Sequence, residues 1–194
     1  PLASLKSGKR YALLIGGTSP AMFKSIRDVM NSDENRHGQY IRIMVASQVA
    51  REGINVANVL QVHLLSPEWN PSAMYQAIYR SIRATSHQAL LEERREELRA
   101  AKLPPSQAQI EIKIYRHAAV PQGVVLSTVT PNNINSCSDI LMYATAEMKD
   151  RAIHRVMRFL KQISISCQVN RERNIRVTDQ DYSVTCDYEL CNYQ

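Results

Sequence analysis

Gln76, Arg80 and Arg83 stand at i, i+4 and i+7. On a helix of 3.6 residues per turn that spacing puts all three on one face. Two guanidinium groups about one turn apart form a fixed set of donors suited to phosphate oxygens. An arginine so placed stabilises charge developing on a transferring phosphoryl group, a contribution worth ~10³-fold or more in rate. The same spacing also describes two surface arginines on an amphipathic helix, with Ala77, Ile78 and Ile82 on its buried side. The pattern gains chemical meaning from what precedes it.

Immediately before this helix, Pro67-Glu-Trp-Asn-Pro71 forms a turn. Asn70 is placed to cap the helix and Pro71 to occupy its first position, so a helix is predicted over Asn70–Arg83. Upstream lie three apolar runs, Tyr11–Ile15, Ile41–Ala46 and Val59–Leu65, each read as a strand and the first two as fully buried ones. Gly16-Gly17 makes a tight turn after the first, and Thr18-Ser19-Pro20 opens a helix whose apolar positions are Met22, Ile26, Val29 and Met30. Residues 31–38 are turn-rich. Residues 47–58 form a mixed segment containing Glu52-Gly53-Ile54-Asn55.

Downstream, Gln88–Lys102 is dense in charge and reads as a solvent-exposed helix laced with pairs at i,i+3 and i,i+4. Pro104-Pro105 breaks it. Ile110–Tyr115 alternates apolar and charged residues, as a half-exposed strand at a sheet edge does. Residues 120–135 are irregular. Asp139–Ile165 is a long amphipathic stretch. Ile153, Val156, Met157, Leu160 and Ile163 mark its apolar face, and Lys149, Arg151, Arg155, Arg158 and Lys161 a basic one, which either touches nucleic acid or is solvated. Residues 170–194 are polar and loop-like. Strand and helix alternate to about residue 118, which predicts an α/β domain with a parallel sheet flanked by helices. The loops after the strands would then share one sheet edge, where ligands bind.

The net charge of +6 fits either a mildly basic globular protein or attraction to phosphate polyanions. No window is apolar enough to span a membrane, and no signal peptide opens the chain. It begins on Pro1 without methionine, which predicts a piece of a longer protein. Cys137, Cys167, Cys186 and Cys191 include no CxxC pair, so free thiols in a reducing compartment are expected. A zinc site built on Cys186 and Cys191 with further partners is the alternative. His63, His87, His117 and His154 lack ligand spacing and are expected to be structural or solvated, with no metal site. Trp69 is expected to anchor its turn. No Ser/His/Asp or Cys/His constellation is present.

The order of these elements closely resembles the C-terminal lobe of superfamily 2 helicases. Leu13–Ser19 fits their motif IV, Ser47-Gln-Val-Ala-Arg-Glu-Gly-Ile-Asn55 their motif V, and Trp69-Asn-Pro71 with Gln76-Ala-Ile-Tyr-Arg-Ser-Ile-Arg83 their motif VI in the form shared with Swi2/Snf2 translocases. Asn31-Ser-Asp-Glu-Asn-Arg-His-Gly38, Arg51–Asn55, Pro67–Pro71 and Ile82–His87, with the later run Ala146–Asn170, are similar to the helicase-like transcription proteins of large nucleocytoplasmic DNA viruses. These include the poxvirus nucleoside triphosphate phosphohydrolase I and the early transcription factor small subunit. The resemblance is dense over residues 11–90 and looser over 110–192.

It implies a RecA-like lobe over residues 1–118, with a charged helical insertion near 88–103, and a mostly helical, family-specific extension with a polar tail over 119–194. It also implies roles. Arg83 resembles the arginine finger, with Arg80 beside it and Gln76 orienting the helix or touching nucleotide; Gly53 and Asn55 face the nucleotide and the other lobe. Gly17, Thr18 and Ser19, and Ser47, hold phosphates of the tracked strand. The implied cofactors are ATP and Mg²⁺, held mainly by an N-terminal RecA-like lobe. The implied partners are that lobe, DNA and a viral RNA polymerase, in host cytoplasm or virion; outside a virus the setting is intracellular.

Two positions depart from the pattern. Tyr79 stands where many members have glycine, and Glu52 where arginine or glycine is frequent. Tyr79 motivates an alternative, a degenerate module acting as a DNA-binding or polymerase-docking scaffold. No Gly-x-x-x-x-Gly-Lys-[Ser/Thr] loop occurs, Ser7-Gly8-Lys9 being too short a match, and no acidic metal-binding box follows a strand. The chain by itself is therefore expected neither to hydrolyse ATP nor to unwind DNA.

Overall fold

In strand β1 (Tyr11–Leu14), Ala12 and Leu14 are buried while Tyr11 and Leu13 are about half exposed. This is the period-2 pattern of a strand covered on one face, and it corrects the expectation of a fully buried one. The same holds for β2 (Ile43–Ala46), where Ile43 and Val45 are exposed; the buried residue of that run, Ile41, lies just ahead of the strand. These features belong to a computed structural model that describes residues 10–47, 54–83, 85–123, 134, 137–165, 169 and 179–192.

β1 and β2 pair in parallel, with Tyr11 opposite Ile43 and Leu14 opposite Ala46. Strand β3 (Gln61–Leu64) pairs in parallel with β4 (Lys113–Arg116), with Gln61 opposite Lys113 and Leu64 opposite Arg116. The parallel arrangement agrees with the alternation read from sequence. The described strands form two two-stranded ladders rather than one continuous sheet.

Helix α1 (Pro20–Met30) covers the first ladder. Its cap is the one expected: the Ser19 hydroxyl accepts from the Met22 N–H, and Pro20 occupies the first turn. Ile26 and Val29 close a core with Ala12, Leu14, Ile41, Ile54 and Val56, against which Phe23, Met30, Tyr40, Met44 and Val59 pack. Asn35 organises the turn from α1 into β2. It is 3% exposed; its Oδ1 accepts from the N–H groups of Tyr40 (3.0 Å) and Ile41 (2.8 Å), and its Nδ2 donates to the Ile41 carbonyl (3.1 Å). Gly38 in the same turn has φ +73°, which glycine adopts without strain, and a Cβ there would lie 3.2 Å from the Arg42 backbone, close enough that Arg42 would have to shift.

Helix α2 (Pro71–Ser81) starts as expected, with the Ser72 N–H donating to Asn70 Oδ1 at 3.0 Å. Helix α3 (Gln88–Ala100) carries the charge run. Arg94–Glu97 and Arg95–Glu92 pair at i,i+3, Arg99 adds a second guanidinium to Glu92, and Leu90 and Leu98 are its buried residues. The two arginines hold the exposed Glu92 carboxyl below its ordinary range.

The described residues divide into two units, one within Pro1–Leu65 and Ala73–His117, the other within Ser66–Ser72 and Ala118–Gln194. The second unit is built on helix α4 (Ser138–Ile163). Its faces are used the opposite way from expectation. Ile153, Val156, Met157, Leu160 and Ile163 are 45–62% exposed. The polar face instead receives residues 179–192. Arg158 Nη1 donates to the carbonyls of Cys186 (3.2 Å) and Leu190 (2.9 Å), Lys161 Nζ donates to Asp187 Oδ2 (2.5 Å), and the Tyr188 hydroxyl donates to Asp150 Oδ2 (2.6 Å). Of the expected basic face, Lys149 meets the Trp69 carbonyl and Arg151 pairs with Glu147.

Cys186 and Cys191 form a disulfide within this tail, which overturns the expectation of free thiols at both positions. The four residues between them, Asp187 to Leu190, turn the chain so that the two sulfurs meet, a local closure that spacing alone does not announce. Trp69 is 56% exposed, so it does not anchor its turn by burial; the Lys149 ammonium lies 5.9 Å from its ring centroid.

Candidate nucleotide and nucleic-acid interface

The expected nucleotide-facing residues fall in the segment after β2 and on α2. Gly53 lies outside the described residues. From Ile54 the chain alternates: Ile54 and Val56 point into the core at 2% and 4% exposure, and Asn55 between them faces out. Asn31, the residue that ends α1, fixes this segment from the side. Its Nδ2 donates to the Asn55 carbonyl at 2.9 Å and its Oδ1 accepts from the Ala57 N–H at 2.8 Å. Those two bonds reproduce one rung of a strand ladder with a side chain. Sequence reasoning missed this role. The visible signal was an asparagine at a helix end; its partners, 24 and 26 residues on, were not visible.

Arg80 reaches the same segment from α2, donating through Nη1 to the Ile54 carbonyl at 3.4 Å, while its Nε is buried without a partner. The guanidinium therefore retains donors beyond the one long bond it makes. Gln76 is exposed one turn earlier on the same face. Arg83 is not on that face by helical geometry: α2 ends at Ser81, and Arg83 is exposed in the turn beyond, where its carbonyl accepts from the Ser86 N–H at 2.9 Å. The i, i+7 relation to Gln76 is thus replaced by a turn, which leaves the Arg83 side chain on a less constrained stretch than Arg80.

Tyr79 projects elsewhere. Its ring stacks on Tyr75 at 6.0 Å and lines a pocket with Ile78, Ile82, Ile114 and Arg116. Consecutive helical residues diverge by about 100°, so the tyrosine is clear of the side on which Arg80 meets Ile54.

The expected phosphate loops come together at the carboxyl ends of β1 and β2. Ser47 N–H donates to the Leu14 carbonyl at 2.9 Å, which sets the end of β2 against the end of β1. Thr18 closes the turn after β1 twice, its N–H donating to the Ile15 carbonyl (2.9 Å) and its hydroxyl accepting from the Ile15 N–H (3.0 Å). Gly17 is exposed, with nothing within 4 Å of where a Cβ would stand. Ser19 caps α1, so that helix's N-terminus opens at the same place. Glycine backbone, hydroxyls and a helix N-terminus are the groups that hold phosphate.

Residues 3–85 match the family model described as helicase conserved C-terminal domain. This stretch is a RecA-like helicase C-terminal domain. Over 97% of its length the chain is 30% identical to "Putative helicase 087L" of Invertebrate iridescent virus 3, and over 96% it is 34% identical to "Putative helicase 009L" of Frog virus 3. It is 35% identical over 42% of its length to the "Termination factor NPH-I homolog" of African swine fever virus, of which it covers 12%. The chain spans 17% of the length of each of the first two relatives. No solved structure matches it. The helicase-domain match takes in both loops after β1 and β2, the Ile54–Ala57 segment, α2 and Arg83. No helix among the described residues is long and apolar enough to cross a membrane.

Proposed function

We propose that this helicase C-terminal domain is the second motor lobe of a longer ATP-dependent DNA helicase or translocase that works in viral transcription or genome handling. Arg80 carries the reading. A guanidinium with an unpartnered buried Nε and one 3.4 Å bond has donors to spare, and it stands against the segment that the family resemblance assigns to nucleotide. The donor set fits a triphosphate: Arg80 and Arg83 supply charge, while Gln76 and Asn55, with Gly53 of the same motif, supply polar contacts. When bound, ATP with Mg²⁺ supplies the phosphoryl group whose hydrolysis drives movement. This chain offers positive charge to it and, in this reading, leaves metal and phosphate cradle to an N-terminal RecA-like lobe. Gly17, Thr18, Ser19 and Ser47 form half of a track for DNA phosphates. The domain boundary near residue 118 and an extension over 119–194 that docks a viral RNA polymerase belong to the same proposal. The setting it implies is host cytoplasm or virion.

The placement of Tyr79 beside Tyr75, away from Arg80, favours a working motor over a scaffold that has lost turnover. In the full-length parent protein, Arg83→Ala should abolish DNA-stimulated ATPase by ~10³-fold or more with nucleotide binding largely kept. Arg80→Ala should weaken both nucleotide binding and turnover. Near wild-type turnover in the Arg83 variant would sink the motor reading, and a parent without measurable ATPase would establish the scaffold instead.

A further inference from the structure

β4 is an open edge. Among the described residues it pairs with β3 alone. Lys113 and His117 donate their N–H groups to Leu60 (2.9 Å) and Leu64 (3.0 Å) on the β3 side. Backbone groups of a strand alternate sides, so the N–H and C=O of Ile114 and Arg116 lie along the other side. All four residues of the strand are exposed.

The side chains of those same two residues line a pocket of about 520 Å³ with Tyr75, Ile78, Tyr79 and Ile82. A free edge beside a helix, with an apolar pocket between them, is what strand addition of an extended peptide requires: main-chain bonds give affinity and the pocket selects an alternate side chain. The charge indicates the occupant. Arg116 makes no ion pair among the described residues, and Lys113 stands three positions away on the same strand. A second copy of this edge would set Lys113 and Arg116 against like charges, which disfavours self-pairing. A carboxylate two positions from an apolar anchor shares the pocket face and meets Arg116, and one next to the anchor falls on the other face, with Lys113. Nucleic acid fits less well, because an alternating row of donors and acceptors matches a peptide backbone and not a row of phosphates.

We propose that the β4 edge, with the Tyr75–Tyr79–Ile114 pocket, captures an extended acidic peptide segment of a partner protein by strand addition. This goes beyond the motor reading and does not rest on it.

The test uses fluorescent short peptides in which a single Ile or Val anchor is flanked on each side by two Glu or Asp residues, and basic counterparts with Lys in the charged positions. Anisotropy titrations are run on the 194-residue chain and on the full-length parent. The acidic peptides should bind both proteins, with the basic set at least about tenfold weaker. Tyr79→Ala and Arg116→Glu, both at exposed side chains, should each weaken acidic-peptide binding by about tenfold. Ile114→Pro removes an outward N–H that β3 does not use and should do the same. Amide exchange at Ile114 and Arg116 should slow when peptide binds.

The proposal is overturned if acidic and basic peptides bind equally, if neither binds at about 1 mM, or if the exposed-site variants leave binding unchanged. Self-association of the chain that Arg116→Glu abolishes would assign the edge to a second copy. Binding by the 194-residue chain but not by the parent would assign it to another segment of the parent. Either result also overturns the proposal.

Discussion

Arg80 Nη1 donates to the carbonyl oxygen of Ile54 at 3.4 Å, across 26 residues of chain. The bond ties α2 to the Ile54–Ala57 segment at its backbone. Side-chain identity at Ile54 is set by the core, where it is 2% exposed. The same segment is held from the opposite flank by Asn31. One guanidinium and one carboxamide thus locate Asn55, and both act on carbonyl or amide groups rather than on side chains.

The first expectation concerns Asn31. Asn31→Ala removes a donor to the Asn55 carbonyl and an acceptor for the Ala57 N–H. Each lost bond is worth about 0.5–1.5 kcal/mol net, so urea unfolding should show a loss of about 1–3 kcal/mol. Asn31→Asp keeps the acceptor and loses the donor, so its loss should be smaller at neutral pH. Equal stability of Asn31→Ala and the unaltered chain would remove the clamp from the account of the site.

The second concerns the loops after β1 and β2. The 194-residue chain should bind a DNA oligonucleotide weakly, and affinity should fall steeply between about 50 and 200 mM salt, because phosphate contacts release counterions. Ser47→Asp puts a carboxylate where a phosphate is expected. The Ser47 contact that joins β2 to β1 is made by its backbone N–H, so thermal stability should hold while DNA binding drops by several-fold at low salt. Salt-independent binding, or no effect of Ser47→Asp, would count against the track.

What could be read from sequence follows the range of the interactions involved. The Ser19 and Asn70 caps, the prolines after them, and the i,i+3 ion pairs of α3 are set by residues within four positions, and these formed where expected. The end of α2 was not legible: Ile82 and Arg83 continue the apolar–basic pattern, yet the Arg83 carbonyl turns to Ser86. The Asn31 clamp and the Arg80–Ile54 bond join residues 24–26 apart, beyond any local pattern. On α4 periodicity showed two faces correctly. It could not show which face is covered, because a tail offering backbone carbonyls and the Asp187 carboxylate seeks the basic face as readily as an apolar partner seeks the other.

A third expectation rests on Asp187. Burial pushes its carboxyl up, but hydrogen bonds from Lys161 and His154 outweigh this and hold it below the ordinary value of 3.8. A folded value below the unfolded one stabilises the tail above about pH 3.8, and that contribution is lost as pH falls through the lower folded value. Limited proteolysis of the tail should therefore accelerate below about pH 4 and stay flat from there to neutral. Asp187→Asn should be cleaved faster at neutral pH and lose the acid dependence, since the group that titrates is gone. Acid sensitivity kept in that variant would move its origin to another carboxylate.

The last expectation concerns the Cys186–Cys191 bond. It closes a loop with a sequence separation of only 5, and loop-closure entropy for so short a ring is worth about 2 kcal/mol. Within the ring, Cys186 supplies a carbonyl to Arg158 and Asp187 a carboxylate to His154 and Lys161, so three of the contacts that seat the tail on α4 originate there. Reduction should loosen this seat without unfolding the helicase C-terminal domain, whose core residues all belong to the other unit. Cys191→Ser should speed tail proteolysis by about tenfold or more, the ratio that about 2 kcal/mol allows when cleavage follows local opening. Salt-sensitive DNA binding by the β1 and β2 loops should remain as it was. A parallel loss of DNA binding in Cys191→Ser would show that the tail supports the track, and unchanged proteolysis would show that the Asp187 contacts hold the tail without the disulfide.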